Sequence, residues 1–387
     1  MDETVTVLVG TTKGAFLLTS KDGRKTWDVS GPHCDGWPIN HVVGCAETGM
    51  LWAAGGSDFM GAGVWRSADG GESWELSLMA NGQMDEFLAN DPGAREYLKR
   101  DPMPTAPFKG KIVTLWSVAK VGAKLYAGAK PAALYESGDG GATWSLVEGL
   151  SNHPSGPSWE PGGAGLVLHT IVADPDDPAK MWVGISAAGV FATEDGGATW
   201  ERRNRLSNAD GAADHVHTGE CGHDVGFCVH NMVRAPGRGG DLMYQQNHHG
   251  VFRSPDGGRS WHEITAGLPS SFGFPIAVDP GDARRIWTFP LNGDTQGRFP
   301  PGASAAVWRS EDGGESWQEM AEGLPREKCF FTVLRQSMAT DRVPQTGVYF
   351  GTNSGSVFAS RDRGAHWDEI ARHLPTVLSV ETVTAQA

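Results

Sequence analysis

Short apolar and β-branched runs recur along this chain at strand length, separated by polar clusters that contain glycine. The unit between residues 168 and 200 is the clearest. Leu168-His169-Thr170-Ile171-Val172-Ala173, Met181-Trp182-Val183-Gly184 and Gly189-Val190-Phe191-Ala192 read as three strands, followed by a turn and a fourth strand opened by Trp200. The turn itself repeats. At 20–27, 67–74, 137–144, 193–200, 254–261, 310–317 and 360–367 a hydroxyl residue stands two before an Asp and a Trp stands five after it. The Asp and hydroxyl side chains can bond the turn's own N–H groups, the glycines allow positive φ, and the Trp returns to fill space between neighbours. Arg24 replaces the second glycine in the first copy, and Arg363 the first glycine in the last.

Seven copies spaced about 47 to 70 residues apart mark an array in which each repeat is one supersecondary unit. Four antiparallel strands per unit predict an all-β, seven-bladed β-propeller, a single domain over 1–387. The N-terminal unit lacks its innermost strand, and 377–383 is expected to supply it, closing the ring. The turn is similar to the Asp-box, or BNR, repeat of the sialidase superfamily and its propeller relatives, and the resemblance runs through the whole chain. That resemblance implies the propeller fold. It does not bring the sialidase residues: the Arg-Ile-Pro motif is missing, with only Trp37-Pro38-Ile39 and Phe274-Pro275-Ile276 near it, and four of the five tyrosines (Tyr126, Tyr135, Tyr244 and Tyr349) fall inside expected strands.

The aspartate turns should all lie on one face. The long connections 28–40, 75–112, 145–167, 201–228 and 290–305 should crowd the other, where function usually sits. Within 75–112, Asp85 to Ala89 and Ala94 to Lys99 read as two short helices broken by Pro92-Gly93, forming a lid or a homo-oligomer contact.

Aligning the inner strands places Leu378, His41, Trp116, His169, His230, Phe274 and Phe331 toward the axis. Three of these seven are histidines in a chain with 13. Gln245-Gln246-Asn247-His248-His249-Gly250 follows on the same face, and the connection before His230 adds Asp214, His215, His217, His223 and Asp224. Converging imidazoles suit a divalent transition metal (zinc, copper, iron or manganese), with His41, His169, His230 and His248 as ligands. Glu160, Asp224 and His217 are the candidate acids and bases, Asp214 or Asp224 a partner behind a ligand. Trp116, Trp159, Asn247 and His249 are candidate substrate contacts, with the glycines of Trp159-Glu160-Pro161-Gly162-Gly163-Ala164-Gly165 letting backbone approach a ligand. Cys34, Cys221, Cys228 and Cys329 fall on the same face and read as small buried hydrophobes.

A net charge of −14 opposes nucleic acid and anionic membranes. No run of 18 apolar residues and no secretory leader is recognisable, and five cysteines without framework spacing suit reduced thiols, so a soluble, cytoplasmic protein is expected. The functional reading is a hydrolase or lyase using metal on a small or saccharide-like substrate. The alternatives are a metal-free, sialidase-like glycoside hydrolase and a protein-binding scaffold.

Overall fold

A computed structural model describes residues 3–204, 227–237 and 241–385. Asp214, His215, His217, Cys221, His223 and Asp224 lie outside the described residues.

Seven four-stranded antiparallel sheets form the predicted propeller. The inner strands Val377–Ala385, Ile39–Gly44, Thr114–Val121, Val167–Ala173, Val229–Arg234, Gly273–Asp279 and Met338–Thr340 belong to blades 1 to 7 and touch in that order around a closed ring. Blade 1 is closed as expected: Val377–Ala385 pairs with Thr4–Thr11, with Val5 opposite Thr384, Val7 opposite Thr382 and Val9 opposite Val380. Val377 and Val380 are fully buried against Val5, Val7, Val9 and Tyr349 of blades 1 and 7.

The aspartate turn is held by its own side chains. In blade 2, Ser67 Oγ donates to Asp69 Oδ1 (2.7 Å) and accepts from Gly71 N (2.8 Å), Ser73 N donates to Asp69 Oδ1 (3.0 Å), and Trp74 Nε1 donates to Gly71 O (3.0 Å). Gly71 has φ 101°, a conformation open to glycine at little cost. Arg24 adopts φ 65° at the matching place, and its side chain reaches Asp341 of blade 7 instead. In blades 2 to 7 the pairing strand places an aromatic residue one position inward of the turn's hydroxyl, Trp52, Trp182 and Trp287 alternating with Tyr126, Tyr244 and Tyr349; blade 1 has Thr6 there. The tryptophans bind the next blade's turn, as Trp182 Nε1 does to Gly257 O at 2.8 Å.

The insertion folds as two helices, Gln83–Asn90 and Pro92–Leu98, with Pro92 at the start of the second and Asp91 capping Ala94 N at 3.0 Å. Buried Asp85 ties it down through Met103 N (3.0 Å) and Asn81 Nδ2 (3.0 Å). No helix among the described residues is long and apolar enough to cross a membrane.

A shared irregularity positions the axial residues. In blades 2 to 5 the inner strand carries a bulge that leaves Asn40, Trp116, His169 and His230 without a direct partner. His41 is therefore the equivalent of Ser117, Thr170 and Asn231, one residue beyond the place the sequence alignment gave it. A single-residue slip in a strand turns a side chain to the opposite side.

Candidate metal centre at the axial mouth

Two cavities open along the axis, one at each mouth. The mouth carrying the inter-blade connections holds a cavity of about 380 Å³, lined by the loop from Pro161 to Ala164 and by Cys228, His230, His248, His249, Phe274, Asp294, Arg298 and Arg335.

Blade 5 supplies its centre. Strand alternation puts Cys228 and His230 on one side, and the antiparallel partner of Val229 is Asn247, so the residue after the second strand, His248, arrives beside Cys228. His248 N donates to Cys228 O at 3.0 Å. Cys228 Sγ lies 3.7 Å from His230 Nε2, and the ligand atoms of Cys228, His230 and His248 all lie within 4.8 Å of one another. His230 Nδ1 donates to Gly273 O at 2.5 Å, which fixes the tautomer and leaves the Nε2 lone pair facing the thiol. Phe272 and Phe274 pack on the His230 ring at 5.1 and 4.7 Å, and Phe272 on His248 at 5.2 Å. Burial pushes His230 well below the usual imidazole range, which keeps its ring neutral with a lone pair to offer, and pushes Cys228 upward, so the thiol has to give up its proton to ligate a cation.

Charged groups surround this cluster. Asp294 Oδ2 stands 3.7 Å from His248 Nε2, and Asp294 Oδ1 accepts from Arg298 Nε at 2.6 Å. Arg335 lies 5.0 Å over the Phe274 ring, and burial lowers its pKa to about 10.

The other expected site residues divide. His41 is placed at the opposite mouth: it accepts from Val118 N at 3.1 Å on Nδ1 and meets Glu381 at 3.3 Å through Nε2. His169 is buried beside the cluster without joining it, its Nδ1 2.8 Å from Thr170 Oγ1, and desolvation holds it well below the usual range. Glu160 is exposed, and among the described residues its carbonyl alone is engaged, by Ala187 N at 2.9 Å; the next residues, Pro161 to Ala164, line the cavity. Trp159 turns away, with Nε1 donating to Ser155 Oγ at 2.9 Å and its ring 5.1 Å from Phe191. Asn247 is fully buried in the turn, accepting from His249 N at 3.3 Å, whereas His249 is exposed at the cavity wall with its ring 5.0 Å from His248. Trp116 lines neither axial cavity. Phe331 packs near Phe289 at 6.2 Å, and blade 7 presents Arg335 to the cavity in its stead.

Sequence pattern did not single out Cys228, Asp294, Arg298 or Arg335 as site residues. For Cys228 a signal was present, the Cys-x-His alternation leading into a strand. The other three come from blades 6 and 7, and no local pattern links them to His230.

The second cavity, about 680 Å³, opens at the opposite mouth and is lined by His41, Thr170, Asn231, Gln336, Arg342 and Glu381 among others. No residue of 75–112 lines either axial cavity.

No protein-family profile matches the chain. Over 227 residues it is 24% identical to an oligoxyloglucan-reducing end-specific xyloglucanase of Emericella nidulans, a match covering 51% of this chain and 26% of that enzyme. Among solved structures it is similar to the GH74 xyloglucanase from Xanthomonas campestris (TM-score 0.58, 16% identity, 95% of this chain and 54% of that one). It is also similar to YCF48 bound to D1 peptide (TM-score 0.52, 14% identity, 86% and 80%). The chain thus spans about a quarter of the curated relative and about half of the xyloglucanase structure. At these identities the likeness is one of fold.

Proposed function

We propose that the blade 5 mouth is a metal-dependent hydrolase or lyase centre acting on a small or saccharide-like substrate, with Cys228, His230 and His248 as the protein ligands. The observation that carries this reading is the approach of those three ligand atoms to within 4.8 Å of one another. One thiolate and two neutral imidazoles suit zinc and its neighbours, and three protein ligands leave a coordination position for water or substrate. A divalent ion bound there would supply Lewis acidity and lower the pKa of a bound water. His230 is oriented for this by Gly273 O, and Asp294 stands behind His248 in the place of an outer carboxylate partner. In this reading His249 contacts substrate at the wall. Asp224 and His217, which precede Cys228 in sequence, keep the acid and base roles. Glu160 and Trp159 are not part of the proposal.

The likeness to two xyloglucanases supports a saccharide as the substrate class. It also favours a second reading, glycoside hydrolysis without metal. That chemistry needs two carboxyl groups facing each other across the pocket. Among its described lining residues the cavity offers one, Asp294, already paired with Arg298. The insertion is better suited to a subunit contact than to a lid, since it exposes Tyr97, Phe87 and Leu98 and lines neither axial cavity.

Elemental mass spectrometry on protein purified without a polyhistidine tag tests the proposal. Near-stoichiometric zinc, copper, iron or manganese in wild type, lost in Cys228→Ser, supports it. A folded wild type that refuses all four contradicts it.

A further inference from the structure

Among the described residues, the charge inside the cavity is unbalanced. Asp294 and Arg298 neutralise each other through a 2.6 Å hydrogen bond. Arg335, on the same wall, has neither an ion pair nor a side-chain hydrogen bond among the described residues. Its Nε is buried without a partner, and its guanidinium rests on the Phe274 ring at 5.0 Å. Removing a guanidinium from water is costly unless a carboxylate or comparable acceptor replaces the lost hydration. A cation–π contact returns only part of that. In a chain of net charge −14, an arginine that faces the reactive cluster with no charge partner among the described residues is a local exception.

We propose that Arg335 binds a carboxylate of the substrate, so that the substrate is a sugar acid and not a neutral sugar. The inference rests on the saccharide reading of this cavity and narrows it. A guanidinium presents a planar fork that fits a carboxylate through two parallel hydrogen bonds. A volume of about 380 Å³ is of the size that holds one sugar ring beside the cluster. The metal ligands lie next to Arg335 in the same lining, so a carboxylate held there would place the adjoining ring carbons beside Cys228 and His230.

The test is calorimetric titration of glucuronate and of glucose, which share a ring and differ at one carbon. Each is titrated into wild type, Arg335→Gln and Arg335→Lys, before and after chelation. Wild type should bind glucuronate on the order of ten- to a hundredfold more tightly than glucose. Arg335→Gln should abolish that preference while keeping the wild-type metal content and melting temperature, and Arg335→Lys should recover part of it. Equal affinity of wild type for the two sugars overturns the proposal, as does an Arg335→Gln protein that still prefers glucuronate. Loss of metal from Arg335→Gln with the preference intact would make the arginine a counter-charge to Cys228, and also overturns it. Because the preference is read on chelated protein too, the role of Arg335 is tested separately from the presence of metal, which metal content alone decides.

Discussion

Cys228 Sγ stands 3.7 Å from His230 Nε2, on two residues that strand alternation would place side by side and that a bulge at His230 turns toward the axis. The carbonyl of Gly273, from the next blade, holds the other nitrogen of the same ring. Cys228→Ser and His230→Ala should therefore each weaken zinc binding by more than about 100-fold, beyond the usual loss for an outer partner. His41→Ala should leave it unchanged, because His41 lies at the opposite mouth. Competition titration against a chromophoric chelator measures all three.

Asp294 approaches His248 at 3.7 Å and binds Arg298 through its other oxygen. Asp294→Asn keeps the shape and removes the charge, so metal affinity should fall by about tenfold while the fold is kept. The same titration reads the affinity, and circular dichroism reads the fold.

Arg24 stands where all six other turns carry glycine, and the reason lies across the ring closure. Its Nη1 donates to Asp341 Oδ2 at 3.0 Å, with both side chains buried, and Tyr349 Oη donates to the same oxygen at 2.7 Å. Arg24→Gly relieves the positive φ yet leaves Asp341 buried without its counter-charge. Urea unfolding should show a loss of about 3 to 5 kcal/mol.

The aspartate turns couple stability to acid. Asp195 and Asp312 are lowered to about 2, chiefly by the hydroxyl hydrogen bonds of Thr199 and Ser316. Hydroxyl and backbone donors hold Asp22, Asp69 and Asp139 lower still. A carboxylate whose folded pKa lies below its unfolded value near 3.9 stabilises above that value and loses the contribution as pH falls through the folded pKa. Stability should therefore decline between about pH 4 and pH 2. Asp312→Asn should lower the urea midpoint at pH 7 and differ less from wild type at pH 2.5.

Val377–Ala385 provides the innermost strand of blade 1 and buries Val377 and Val380 fully. Val380→Ala should cost about 2 kcal/mol. Removing the chain after Thr376 leaves the inner edge of Thr4–Thr11 unpaired and should abolish the cooperative thermal transition seen by circular dichroism.

Local pattern carried the architecture and only part of the site. The aspartate turns and the four-strand rhythm are short-range features, and they placed every blade and the closing strand. His230 and His248 were legible because both sit where a strand meets the crowded face. His41 was misplaced because the bulge at Asn40 shifts the register by one, and no residue at 39–41 announces it. Glu160 and Trp159 were read from the composition of a loop, whose conformation turns the Trp159 ring onto Phe191 and leaves Glu160 exposed. Arg335 and Asp294 reach the cavity from blades 7 and 6, more than 40 residues from His248 in sequence. Only ring closure brings such residues together.

The most direct measurement is the absorption spectrum of the chelated protein titrated with cobalt(II), beside Cys228→Ser and His41→Ala. A thiolate ligand gives cobalt an intense near-ultraviolet charge-transfer band, and an open tetrahedral site gives visible bands. Wild type and His41→Ala should show both band sets at one equivalent, and Cys228→Ser should lose the near-ultraviolet band. A wild type that stays folded and shows neither, or a band that survives Cys228→Ser, would contradict the proposed metal centre.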